Sequence, residues 1–251
     1  MEKKLLPMRN ILINIFSCHY NYGCFVMLGQ TSLLKYLPTV CIITIMNITK
    51  YIHSCVVLEK NNQSIIIDPG IWNDDLKIPE NTAGVIVTHE HPDHFDLEKL
   101  RIICDLNHEI YIYSHVDLIG QLSGLPSKVV TSGDELEIGG FFVKFFGDTH
   151  AIIHPDYPAV ANLGIIVDQE SFCYPGDSFS HPNRQIDVLA LPIAAPWLKI
   201  AEAMDYLVAV GPKRVMPTHD AILSQRGKDV SNAWIRKVCD ANNIEFMVSG
   251  D

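Results

Sequence analysis

Several features are missing from this 251-residue sequence, and each absence removes a class of function. Seven cysteines stand at 18, 24, 41, 55, 104, 173 and 239 without a single C-x-x-C pair. An odd, scattered set in a chain this long reads as reduced thiols of a cytoplasmic protein, not as a disulfide framework. Basic excess is missing too: 29 acids outweigh 19 lysines and arginines, for a formal charge of -10. That balance argues against a nucleic-acid backbone as a partner. No glycine-rich flavin or dinucleotide segment is present. A clean membrane span is absent as well, because the apolar residues 24–46 are interrupted by Gln30, Lys35 and Pro38, and a span wants roughly 20 mainly apolar residues.

Acid is scarce at the start. Glu2 is the only acidic residue before Glu59, and residues 10–34 carry no formal charge. Lys3, Lys4 and Arg9 ahead of the apolar residues 11–16 look like a signal peptide, but the run is short and no small-x-small cleavage site follows. Residues 1–45 are therefore expected to be an apolar extension, with an upstream start choice, a membrane anchor and a packed accessory segment all open. From Met46 onward the chain reads as the clean opening of a globular domain, 46–251, which holds every functional candidate.

What is present is dominated by residues 88–94, Thr-His-Glu-His-Pro-Asp-His, directly after the apolar Val85, Ile86 and Val87. His89, His91, Asp93 and His94 fall within six residues. Core packing does not require such a density of imidazole, and Pro92 excludes an ordinary helix through the loop. A metal-binding loop at the C-terminal end of a strand is the natural reading.

The same arrangement recurs. Apolar runs at 55–58, 64–67, 110–113, 128–131, 135–138, 141–146, 163–167, 171–174, 187–191 and 244–248 read as strands. Gly139-Gly140 reads as a hairpin turn. Helices are expected at 95–104, with Asp96 as cap, at 200–210 and at 232–241, with a helical turn or two at 116–122. His150 follows one strand, Asp177 sits in a glycine turn after another, and His219 follows a third. His154, four residues past His150, is given a role behind a ligand or facing substrate. Asp68, in an Asp-Pro-Gly turn, reads first as an Asx-turn carboxylate, with a metal partner's support as its other use. His53 either points into the site from the side or is a hydrogen-bonded buried histidine. His108 and His115 read as solvent-facing or capping. The pattern suits two mixed sheets packed together with helices outside, the ligands gathering along one edge.

Five imidazoles and two carboxylates make a nitrogen and oxygen set suited to zinc and workable for manganese or iron. Seven ligands are too many for one tetrahedral ion and divide between two. One split puts His89, His91 and His150 on one ion, Asp93, His94 and His219 on the other, and Asp177 between them.

Residues 88–94 match the H-x-H-x-D-H signature, and His150, the Asp177 turn and His219 follow in order. In this the chain resembles the metallo-β-lactamase-fold hydrolases across about residues 46–251. The start, Ile-Thr-Lys-Tyr-x-His-Ser-Cys, and the segment 202–220 resemble the branch that includes ascorbate-6-phosphate lactonase-like proteins. The resemblance implies a four-layer αβ/βα sandwich, two divalent metal ions held as in the split above, and attack by a metal-bridged hydroxide, with Asp93 orienting it or relaying its proton. The expected substrate is a small ester, lactone or phosphoester metabolite. The alternatives are a phosphodiesterase or nuclease acting on nucleotides and, further off, a di-iron redox protein. The loops around Trp72, 154–157 and 195–197 are expected to line the mouth, or else simply to pack.

Overall fold

The computed structural model describes residues 46–122 and 124–247, together with two short strands, β1 (Ser17–Cys18) and β2 (Ile43–Thr44), that pair with each other. The expectation for the rest of 1–45 lies outside the described residues. Two sheets carry the fold. The first has the order β3-β4-β5-β6-β7-β8, from β3 (Asn47–Lys50), β4 (Val56–Lys60), β5 (Gln63–Ile67), β6 (Thr82–Ile86), β7 (Tyr111–Ser114) and β8 (Ser127–Val129). The second has the order β15-β14-β13-β12-β11-β10-β9. Its strands are β9 (Glu135–Ile138), β10 (Phe141–Phe146), β11 (Gly164–Val167), β12 (Phe172–Tyr174), β13 (Val188–Pro192), β14 (Arg214–Thr218) and β15 (Glu245–Phe246).

Each sheet opens as an antiparallel meander and finishes as parallel strands joined by crossovers. The hairpins follow from their turns. Asn61 and Asn62 both take positive φ between Lys60 and Gln63, as Gly139 and Gly140 do between Ile138 and Phe141. Such a pair matches the twist of two antiparallel strands. The crossovers use α1 (Leu97–Leu106), α2 (Val116–Ile119), α3 (Ile200–Val210) and α4 (Gln225–Asn242).

Alternation along the strands builds four layers. Val56, Leu58, Ile65 and Ile67 face Phe141, Val143, Phe145, Ile165 and Val167 between the sheets. Their neighbours Val57 and Ile66 point the other way, onto Leu100 and Ile103 of α1 and Leu118 of α2. On the far side Ile166, Cys173 and Leu189 meet Ala203 and Leu207 of α3 and Ile235 of α4. Strands buried on both faces read as near-continuous apolar runs, which is why β13 and β11 are legible as plain hydrophobic stretches. The cysteines at 55, 104, 173 and 239 are buried free thiols. Among the described residues no helix is long and apolar enough to cross a membrane.

Two expectations need correction. The helix expected at 232–241 begins at Gln225, capped by Ser224 accepting from the Gly227 amide at 3.3 Å. Its first five residues are polar or glycine, so apolar periodicity misses them. The segment 47–50, not assigned as a strand, forms β3 on the edge of the first sheet.

Strand direction places the site. Two antiparallel steps, β3 to β4 to β5, return the end of β3 to the edge where β5 and β6 end. In the second sheet two such steps give β10 the direction of β12, which β13 and β14 share. β3, β5, β6, β10, β12 and β14 are each followed, within a few residues, by a polar side chain of the site, and β13 by the Ala194 carbonyl.

Candidate metal centre

The loop after β6 is built by local hydrogen bonds. The amides of His94 and Phe95 both donate to the His91 carbonyl at 2.9 Å, turning the chain into α1. Asp96 caps that helix by accepting from Glu98 and Lys99. Gly70 packs so closely that a Cβ there would land on the Asp93 carbonyl, and the Ile71 amide donates to the Pro92 carbonyl at 2.9 Å. Between the sheets, the Leu163 amide donates to the Thr88 carbonyl at 3.0 Å, and at the edge of the second sheet the Ala151 amide donates to the Asp177 carbonyl at 2.8 Å. Asn162 holds the Asp177 turn, accepting from the Asp177 amide and donating to the Pro175 carbonyl, both at 2.9 Å.

These loops bring the seven sequence candidates His89, His91, Asp93, His94, His150, Asp177 and His219 together. Three groups have ligand atoms within 4.8 Å of one another: His89, His91 and His150; His53, Asp93, His94 and His219; and His89, His94 and Asp177. Asp177 lies between the first two groups. Its Oδ2 is 2.9 Å from His219 Nε2 and 3.4 Å from His150 Nε2, and its Oδ1 is 3.2 Å from His94 Nε2. His89 Nε2 and His91 Nδ1 are 3.1 Å apart. Two nitrogens on one tetrahedral zinc sit at about 3.3 Å, from metal–nitrogen bonds of roughly 2.05 Å.

Three of the outward nitrogens are taken by acceptors. His94 Nδ1 meets Asp68 Oδ2 at 2.7 Å, His150 Nδ1 meets the Ala151 carbonyl at 2.5 Å, and His219 Nδ1 meets the Ala194 carbonyl at 2.5 Å. An acceptor on Nδ1 fixes a proton there, so that the neutral ring, the form that binds a cation, turns a bare Nε2 inward. His94 Nε2, His150 Nε2, His219 Nε2 and Asp177 Oδ1 are buried without a hydrogen-bond partner among the described residues. Buried polar atoms are rarely orphaned. Three such imidazole nitrogens gathered around one buried carboxylate fit a pair of cations.

Asp68 serves both groups. Its Oδ2 accepts from Thr88 Oγ1 at 2.7 Å as well as from His94, its Oδ1 accepts from the Thr88 amide at 2.8 Å, and Thr88 Oγ1 lies 3.0 Å from His89 Nδ1. The Asx-turn reading undervalued it. The strand-end position carried the signal, and the hydrogen-bond partners decide the role. His53, for which the sequence allows two roles, is buried, with Nε2 3.0 Å from Asp93 Oδ2. Asp68, His53 and His219 all have positive φ, a conformation that costs on the order of 1–3 kcal/mol in a non-glycine residue and gathers at functional sites.

Electrostatics divides the groups. Burial, with neighbouring histidines, pushes His89 well below the usual imidazole value, and burial lowers His91. Burial also opposes charge on His219, but the Asp177 and Asp93 carboxylates outweigh it and raise His219 to about 9. His94 rises well above its ordinary value for the same reason, with Asp177 and Asp68 against its own burial. Burial works against ionisation of Asp177 and Asp93 too, and the facing histidines overcome it and hold both well below the carboxylate range.

His154 is not brought to these groups. It stands on an exposed turn, Nδ1 accepting from the Asp156 amide and its ring 5.9 Å from Tyr157. His108 is exposed and His115 caps α2, its Nδ1 accepting from the Asp117 amide at 3.3 Å. Trp197 donates its indole N–H to Asp177 Oδ2 at 3.0 Å, and Trp72 sits edge-on to His53 at 4.6 Å, so both pack against the centre. A cavity of about 240 Å³ opens beside His89, walled by Leu118, Ala159, Val160 and Ala161 with Glu90, His115 and Asp117. A larger one, about 590 Å³, lies along β9 and β10 away from every site residue.

The model of a family described as a beta-lactamase superfamily domain matches residues 47–219. Protein Rv0786c of Mycobacterium tuberculosis is 34% identical over 207 residues, covering 81% of this chain and 96% of that protein. A UPF0173 protein of Pyrococcus abyssi is 29% identical over 183 residues, covering 69% and 83%. The structure of Igni18, a novel metallo hydrolase from Ignicoccus hospitalis, matches with a TM-score of 0.63 at 20% identity, covering 82% of this chain and 96% of that one, a likeness of fold. The chain belongs to the β-lactamase superfamily, among its metallo-β-lactamase-fold, metal-dependent hydrolases.

Proposed function

We propose that the centre holds two divalent cations, zinc first, and hydrolyses a small ester, lactone or phosphoester metabolite, as in the lactonase-like branch that the sequence resembles. In this reading His89, His91 and His150 hold one cation, Asp93, His94 and His219 the other, and Asp177 touches both. The observation that carries it is the set of orphaned buried atoms, His94 Nε2, His150 Nε2, His219 Nε2 and Asp177 Oδ1, aimed at one another. When bound, two such cations supply a water acidified to near-neutral pKa and an electrophile for the substrate oxygen.

The chain's own groups do the rest. Asp93, partly exposed where the other carboxylate is buried, is the group placed to orient that water or take its proton. Trp197 covers Asp177 and keeps bulk water from its Oδ2. The cavity beside His89, below the roughly 300 Å³ at which drug-sized pockets begin, supports a compact substrate. Its acidic wall, Glu90 and Asp117, favours an oxygen-rich neutral group there over an anionic one. His154, outside both ligand groups, is left a substrate-facing place at the rim. A cytoplasmic setting, no membrane attachment and no nucleic-acid partner complete the proposal.

The test is metal analysis followed by a panel of lactones, esters, phosphodiesters and β-lactams, with His89→Ala as the blank. Close to two equivalents of metal and turnover on the ester or lactone arm are expected. Turnover on phosphodiesters alone would move the reading to a nuclease-like enzyme, and a metal content near zero under replete conditions would remove it.

A further inference from the structure

His53 lies within ligand distance of the second group, and distance alone would make it a fourth ligand beside Asp93, His94 and His219. The hydrogen bonds around its ring say otherwise. The Ala221 amide donates to His53 Nδ1 at 3.2 Å. A backbone N–H can only donate, so Nδ1 presents its lone pair and the proton of the neutral ring sits on Nε2. That Nε2 lies 3.0 Å from Asp93 Oδ2, and a protonated nitrogen donates to a carboxylate and cannot bind a cation.

The backbone around it makes the same grip. The His53 carbonyl accepts from the His219 amide at 3.0 Å, and the Ser54 hydroxyl donates to the Asp93 carbonyl at 2.9 Å. The His53 ring packs on the His219 ring at 3.8 Å between centroids and is fully buried. Two ligands of the second group, from opposite sheets, are thus held by one short segment after β3.

We infer that His53 is a positioning residue and not a metal ligand: its Nε2–H holds Asp93 Oδ2 while its carbonyl holds the His219 backbone. Asp93 Oδ2 keeps a further lone pair for the cation, facing His219 Nε2 at 3.4 Å. The inference rests on the proposed ligand assignment and assigns His53 its part in it.

The deciding measurement uses the full chain with ring-15N histidine, loaded with two equivalents of Zn²⁺. A long-range proton–nitrogen spectrum should show His53 with a proton on Nε2 and a bare Nδ1, identified as the signal missing from His53→Gln. A His53 Nε2 without a proton would overturn the inference. Zn²⁺ titrations give an independent check. His53→Gln returns an amide N–H toward Asp93 and should keep two equivalents with the second site within about 5-fold of wild type. His53→Leu returns none and should weaken the second site by about 10- to 100-fold, the usual effect of losing a group that orients a ligand, and leave the first unchanged. Loss of the second equivalent in Gln and Leu alike would mark a ligand, and an unchanged second site in Leu would end the positioning role. If the Leu variant does not fold, the spectrum and the Gln titration still decide. Failure of the ligand assignment itself would show separately, as two equivalents still bound by His219→Ala.

Discussion

Asp68→Asn tests the centre through a residue that stands outside the proposed ligand set. The carboxylate accepts three hydrogen bonds, from the Thr88 amide at 2.8 Å, from Thr88 Oγ1 at 2.7 Å and from His94 Nδ1 at 2.7 Å. Asparagine keeps the shape and loses one acceptor oxygen. If its amide nitrogen takes the Oδ1 place, it opposes the Thr88 amide, donor against donor. If it takes the Oδ2 place, it opposes His94 Nδ1–H, and the imidazole escapes only by moving its proton to Nε2, the atom that faces the site. A lost hydrogen bond to a buried charged group costs about 1.5–3 kcal/mol. At about 2–4 °C per kcal/mol for a domain of this size, the metal-free protein should melt roughly 3–12 °C lower. Zn²⁺ affinity should fall by about 10- to 100-fold, as it does when a metal ligand loses the group that orients it. The loss should be larger at the Asp93–His94–His219 site, because His94 meets Asp68 directly while His89 meets it through the Thr88 hydroxyl. The assay is Zn²⁺ titration against a competing chelator, with thermal melts of metal-free protein alongside. Unchanged affinity at both sites in a folded Asp68→Asn protein would refute the reasoning, and so would a loss confined to the His89 site.

Replacing His219 with Ala should remove the second equivalent of metal and lower turnover about 10²-fold or more with the fold intact, whereas His108→Ala should leave both unchanged; metal analysis beside a melt separates the cases. Binding of the second cation should release protons. His219, raised to about 9, is protonated at pH 7, so its contribution to metal-free stability is complete below the unfolded value near 6.5 and fades as pH rises through 9. Cation affinity should run the opposite way, about 100-fold weaker at pH 7 than above 9, since the ligand must first deprotonate. Titration calorimetry in buffers of different ionisation heat reads this out, and a second equivalent indifferent to pH from 7 to 9 would contradict it. A chain begun at Met46 is expected to fold and bind two equivalents, because no proposed ligand precedes it; insolubility on truncation would show that 1–45 packs on the domain.

Much of this architecture is legible because apolar burial on both strand faces leaves plain hydrophobic runs. β10, β11, β12 and β13 stand where Phe141, Ile165, Cys173 and Leu189 announce them. Helix α3 is legible as well, since Ala203, Leu207 and Val210 keep a buried stripe. The start of α4 is not. Its opening residues, Gln225, Arg226, Gly227, Lys228 and Asp229, are held by a serine cap and present no apolar face. Helix formation there is decided by tertiary packing of the later residues Ile235, Val238 and Cys239.

The site divides along a similar line. His89, His91, Asp93, His94, His150, Asp177 and His219 were visible because unpaired imidazoles and carboxylates at strand ends have no cheaper explanation. Asp68 and His53 lacked that signature, one in an ordinary Asp-Pro-Gly turn and the other a single histidine before a strand. Strand topology, however, points to His53. The chain reverses at 51–55 and again at Asn61-Asn62, so two antiparallel steps carry the end of β3 to the edge where β5 delivers Asp68. What no pattern could supply is the proton. Whether His53 binds a cation or holds Asp93 turns on one backbone amide, that of Ala221, which lies 168 residues further along and meets Nδ1 only in the folded chain. Side-chain identity nominates the members of such a centre, and the amides and carbonyls behind them decide which nitrogen faces inward and so which member does what.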